Sequence, residues 1–138
     1  METRTRSDKL RINQLSEKGL RWYLEYLNTI DNRDIEAYAG YLSDECTLQI
    51  NNNPSVNGKE QITKHLTSLC SSFNKNSHDL LNIYGIDLSF SSEIVNHFTL
   101  PDGKEIAINA VGFLDRNVEG LLTSVRLYAD FSPLFSKM

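Results

Sequence analysis

Arg126, Tyr128 and Asp130 fall at alternate positions of the run Leu121–Phe131, so a strand there sets a guanidinium, a phenol and a carboxylate on one face. A carboxylate inside a small domain is costly unless it is paired or used, which makes Asp130 the first candidate for acid–base chemistry. Arg126 shares its parity and can hold it ionised and weakly basic; a purely structural salt bridge is the alternative. The three histidines, His65, His78 and His97, show no metal-ligand spacing, and no metal is expected. Signatures of phosphate loops, dinucleotide sites, zinc proteases and serine hydrolases do not occur, so no cofactor is expected either.

The elements that must position these residues come from a chain of 138 residues, enough for one core. A hydrophobic content of 40% and a charged content of 23% are ordinary for a globular domain. The net charge of -4, with scattered basic residues, argues against nucleic acid as a partner. The mixed-charge run from Arg4 to Arg11 reads as a solvated, mobile tail over residues 1–12, ahead of a single domain over 13–138. No apolar run approaches the roughly 20 residues that span a bilayer, so no membrane association is expected. Cys46 and Cys70 form no C-x-x-C motif and read as small buried hydrophobes. With no secretion-signal pattern at the N-terminus, a cytoplasmic location is expected.

Helices come first. Leu20, Tyr23, Leu24, Leu27 and Ile30 form one apolar stripe and predict a helix from about Leu15 to Ile30, with Trp22 and Tyr26 beside the stripe. A shorter helix follows from about Asp34 to Leu42, then a strand Cys46–Ile50. Asn57 with Glu60 reads as a capping box for a third helix reaching Phe73. Strands fill the rest: His78–Phe90, interrupted near Gly85, then Glu93–Leu100, Glu105–Leu114 and Leu121–Phe131. Pro101-Asp102-Gly103-Lys104 is a hairpin turn. The expected fold is α+β, a cone-shaped curved antiparallel sheet wrapped around three N-terminal helices and enclosing a pocket.

Three patterns carry a family resemblance. The first runs from Tyr26-Leu27-Asn28 through Asp34-Ile35 to Tyr41–Leu48. The second is Val56-Asn57-Gly58-Lys59-Glu60-Gln61-Ile62. The third is Gly120-Leu121 leading to Tyr128-Ala129-Asp130-Phe131. In order and spacing they resemble the nuclear-transport-factor-2-like superfamily, which includes ketosteroid isomerase, SnoaL-like polyketide cyclases, scytalone dehydratase and limonene epoxide hydrolase. The resemblance implies an oxyanion-hole role for Tyr26 and a catalytic role for Asp130, which matches the hydrolases' last-strand aspartate. It also places His78 where SnoaL-like proteins show a histidine facing the pocket. The chain departs from the relatives elsewhere: Asn51-Asn52-Asn53 stands where the isomerases keep their base, no acid occurs over Asn109–Val111, and Ile94 and Asn96 replace the hydrolases' Arg and Asp.

The resulting expectation is a His78–Asp130 dyad with Tyr26 or Tyr128 as hydrogen-bond donor. Asn96 would position water or substrate, Trp22 would line the wall, and Phe98 would share Asn96's face and meet the substrate. A capping or solvated His78, and a Tyr26 at the core edge, are the alternatives. His97 should point outward and His65 should be structural. The apolar alternate face of the last strand, including Val125, Leu127 and Phe131, reads as the contact of a homodimer, or as a face covered by the C-terminal tail. The function these residues imply is cofactor-independent proton-transfer chemistry, as isomerase, dehydratase, cyclase or epoxide hydrolase, on a small apolar molecule. The alternative is a non-catalytic ligand-binding or dimeric interaction protein of the same fold.

Overall fold

A computed structural model describes residues 3–135. Its elements are β1 (Ile12–Asn13), α1 (Glu17–Asp31), α2 (Ile35–Ala39), β2 (Leu42–Ile50), β3 (Val56–Asn57), α3 (Lys59–Ser72), β4 (Lys75–Ile86), β5 (Ser89–Thr99), β6 (Glu105–Arg116), β7 (Leu122–Ala129) and α4 (Ser132–Phe135). A curved, unclosed sheet of seven strands, in the order β1-β4-β5-β6-β7-β2-β3, packs against α1, α2 and α3. The expected α+β cone is present, but the sheet is mixed. The meander β4–β7 is antiparallel, while β1 runs parallel to β4 and β2 parallel to β7. Parallel pairing needs a long connection, which the helices and the meander supply. Among the described residues no helix is long and apolar enough to cross a membrane.

Capping residues set the helix limits. Ser16 accepts a hydrogen bond from the Gly19 amide at 3.0 Å and starts α1; Asp34 accepts from the Ala37 amide at 3.1 Å and starts α2. The capping box expected at Asn57 does not form. Asn57 belongs to β3, its side chain accepts from the Ser55 hydroxyl, and Gly58 opens α3 with a φ of 92°. The strand expected over His78–Phe90 with an interruption near Gly85 is two strands, joined by a tight turn at Asp87-Leu88 where Ile86 pairs with Ser89. The N-terminal residues expected as a mobile tail instead run along β4: Arg6 bridges to Asp79, and Ile12 pairs with Asn82.

Two irregularities decide which side chains face the helices. The β6–β7 register shifts between Asp115 and Arg116, so Arg116 opposes Leu122 but Asp115 opposes Ser124. That bulge reverses the parity of β7 after Leu122. Leu122 is inward, and so are Val125 and Leu127, whereas Tyr128 faces out. A second core, made of Phe73, Phe98, Leu100, Ile108 and Leu134, closes the far end of the sheet.

Candidate active site: a buried Asp31–His78 pair at an apolar cavity

Asp31 is the last residue of α1 and is 3% exposed. A carboxylate at a helix C-terminus faces the negative end of the dipole, so its charge must be held by other groups. Four donors surround it. Oδ2 accepts from the Thr5 hydroxyl at 2.6 Å and the His78 backbone N–H at 3.1 Å. Oδ1 accepts from His78 Nδ1 at 2.5 Å and, more loosely, from Asn76 Nδ2 at 3.5 Å. An ionised carboxylate only accepts, so in the neutral imidazole the proton sits on Nδ1 and the lone pair is left on Nε2.

His78 lines a cavity of about 120 Å³ between the inner sheet face and the helices. Its wall is largely aliphatic, with Leu27 and Leu66 from the helices and Ile94, Leu114, Val125 and Leu127 from the sheet. Asn96 pairs with His78 across β4 and β5, and side chains so paired lie on one face. The Asn96 Oδ1 is buried and has no hydrogen-bond partner. Tyr26 and Tyr38 also reach the cavity, and their hydroxyls bond to each other. Burial raises the pKa of both phenols well above its usual value, so both stay protonated. His65, on α3, completes the polar lining. Among the described residues no three acidic, histidine or cysteine side chains are grouped to hold a metal ion.

No protein-family model matches the sequence, and no curated protein matches it significantly. Solved structures do match. A candidate SnoaL-like polyketide cyclase from Shewanella denitrificans aligns with a TM-score of 0.77 at 14% identity, covering 88% of this chain and 96% of that one. An epoxide hydrolase of the limonene-hydrolase type from Mycobacterium tuberculosis aligns with a TM-score of 0.72 at 15% identity, over 86% of this chain and 87% of that one. The chain has the nuclear-transport-factor-2-like fold. A second protein of M. tuberculosis, solved with estradiol-17β-hemisuccinate, shares the fold with a TM-score of 0.74 at 13% identity, over 85% of this chain and 97% of that one.

Within this nuclear-transport-factor-2-like cone the expected site residues separate. His78, Tyr26 and Asn96 meet at the cavity. Asp130 does not: it lies past the end of β7, exposed, and accepts from the Ser132 amide at 3.0 Å, which holds its carboxyl below the usual range. The expected His78–Asp130 pair is therefore replaced by His78–Asp31, and Arg126 bonds to Asp115 at 2.9 Å rather than to Asp130. The β7 bulge also carries Tyr128 to the outer face, edge-on to Phe113. Trp22 lies outside the cavity, with the Arg116 guanidinium 3.8 Å above its ring. Phe98 packs in the second core. His97 points outward as expected and pairs with Asp79 at 2.9 Å. His65, expected to be structural, lines the cavity.

Sequence reasoning missed Asp31, Thr5 and Tyr38. Asp31 carried one usable signal, a carboxylate in the last turn of a helix, where the dipole disfavours it. The signal is masked by its neighbours, since Asp31-Asn32-Arg33 is a turn-prone run just past the apolar stripe that ends at Ile30. Thr5 had no signal, because its role depends on where the N-terminal segment docks.

Proposed function

We propose that this protein is a cofactor-independent enzyme in which His78 Nε2 is the general base and Asp31 orients and charges it. The observation that carries this reading is the buried Asp31–His78 contact of 2.5 Å opening onto an aliphatic cavity. Nε2 takes a proton from a carbon or a water at the cavity. The imidazolium that forms is held against the Asp31 carboxylate, and the same proton is returned to another atom of the substrate or to a departing hydroxyl. Isomerisation and loss of water both follow this course. Tyr26 stands by as a neutral donor to oxygen that gains charge, and the unspent amide of Asn96 takes a polar group of the substrate.

Cavity size limits the substrate. An apolar cavity of about 150 Å³ accommodates benzene, so this one suits a single-ring or short branched molecule with one polar group facing His78. A homodimer formed through the outer sheet face belongs to the same proposal, supported by the exposed Val111, Phe113 and Tyr128. Non-catalytic ligand binding is the second reading, favoured by one observation: apart from the two histidines, the cavity wall holds no acid or base other than protonated phenols.

Base-promoted ring opening of isoxazole, a single-ring molecule within the size limit, tests the proposal without knowledge of the natural substrate: a base in an apolar site removes the C3 proton as the N–O bond breaks. The wild-type protein is expected to release the ultraviolet-absorbing cyano-enolate with saturation, and His78→Asn to lose at least about a hundredfold in rate. Equal rates for the two proteins, both folded, would leave only the binding reading.

A further inference from the structure

The N-terminal segment is tied to both members of the buried pair at once. From α1, the Asn28 side-chain oxygen accepts the backbone N–H groups of Arg4 at 3.0 Å and Thr5 at 2.8 Å. From β4, the His78 carbonyl accepts the Arg6 N–H at 2.8 Å, and the Leu80 N–H donates back to the Arg6 carbonyl at 2.7 Å. Between these two attachments the Thr5 hydroxyl enters the protein and donates to Asp31 Oδ2 at 2.6 Å. Thr5 is 4% exposed and is not among the residues lining the cavity.

We infer that residues 4–6 form a clasp that completes the site, with Thr5 as a positioning residue acting through Asp31. The inference rests on the proposed role of His78. The carboxylate needs its Oδ2 fixed for Oδ1 to aim at Nδ1, and two donors fix it: the His78 amide and the Thr5 hydroxyl. The first belongs to β4 and the second to the clasp. The clasp also sets the His78 backbone through its carbonyl, so one segment places the base and its orienting acid relative to each other. Without the hydroxyl, Oδ2 keeps a single strong donor, and the carboxylate is free to rotate away from the imidazole plane. Outer partners that orient metal-ligating histidines and carboxylates in the same way are worth about 10- to 100-fold in affinity or activity, which sets the scale for this contact.

Thr5→Val keeps the shape of the side chain and deletes only the donor. It is expected to lower kcat for isoxazole about tenfold with KM unchanged, because Thr5 does not meet the cavity. In proton NMR it is expected to move the downfield resonance of the His78 Nδ1 proton. Thr5→Ser restores the hydroxyl and is expected to return both readouts toward wild type. Asn28→Ala loosens the same clasp from the helix side and keeps the inference testable should Thr5→Val fail to fold; it is expected to move the same resonance. The inference is overturned if folded Thr5→Val keeps both the rate and the resonance, or if Thr5→Ser is as impaired as Thr5→Val. A moved resonance in Thr5→Val, together with a full rate in His78→Asn, would sink the role of His78 as base while leaving the clasp in place.

Discussion

At residue scale the chemistry turns on which ring nitrogen of His78 carries its proton. The Asp31 carboxylate accepts at Oδ1, which demands Nδ1–H and leaves Nε2 as the base. Asp31→Asn nearly preserves volume but changes this demand. Its amide oxygen is drawn to Oδ2's place, where the Thr5 hydroxyl and the His78 amide both donate. Its NH2 then points at Nδ1 and makes that nitrogen an acceptor, moving the proton to Nε2. The variant is expected to fold, to show the Nε2–H tautomer in nitrogen NMR, and to lose about as much activity as His78→Asn. An unchanged tautomer with full activity would remove Asp31 from the mechanism. Asp31→Ala should differ in kind, because four buried donors would lose their acceptor, at about 1–3 kcal/mol each.

Element scale explains why the candidate site was only partly legible. The alternation Ile94, Asn96, Phe98 on β5 survives in the fold because that strand pairs without a break against β6. Asn96 therefore lands inside, and His97 outside with Asp79. On β7 one extra residue near Thr123 inverts the pattern, and nothing in Leu121–Phe131 marks a bulge: no glycine, no proline, no break in β propensity. The inversion exchanged the expected pocket face and the expected interface face of that strand. Its consequence for assembly is testable. The outward face of β6 and β7 holds Val111 and Phe113 at 39% exposure and Tyr128 at 47%, an aromatic and aliphatic patch on an open sheet. Light scattering is expected to give the mass of a dimer for the wild type and of a monomer for Phe113→Asp. Wild-type protein that stays monomeric at assay concentrations would end the dimer proposal.

Over the whole molecule, burial of phenols and a thiol sets the alkaline limit of stability. The α+β order and the hairpin at Pro101–Lys104 were legible because periodicity and turn chemistry are local. Which tyrosines are sealed was not, since that depends on how the cone closes. Tyr23, Tyr26 and Tyr38 pack together on α1 and α2 at ring separations of about 6 Å, and burial moves each phenol well above its usual 10.0. Burial likewise pushes the Cys46 thiol from 9.0 up to about 11. Each group has a folded value above its unfolded one. The stability tied to it is therefore complete below the unfolded value and declines as the pH rises through the folded one. Loss should begin above pH 9.0 with Cys46 and steepen above pH 10.0, where three phenols together remove about 4 kcal/mol per pH unit. A domain of ordinary stability, about 5–15 kcal/mol, then unfolds within roughly three pH units. Because the rings are sealed, their tyrosinate absorbance should appear in the same transition as the loss of circular dichroism. Removing one phenol, as in Tyr23→Phe, should subtract from that shared step. If the buried tyrosines instead ionise while the dichroism is intact, the cone is open enough for water to reach the helices beside His78, and the apolar site proposed for the base does not exist.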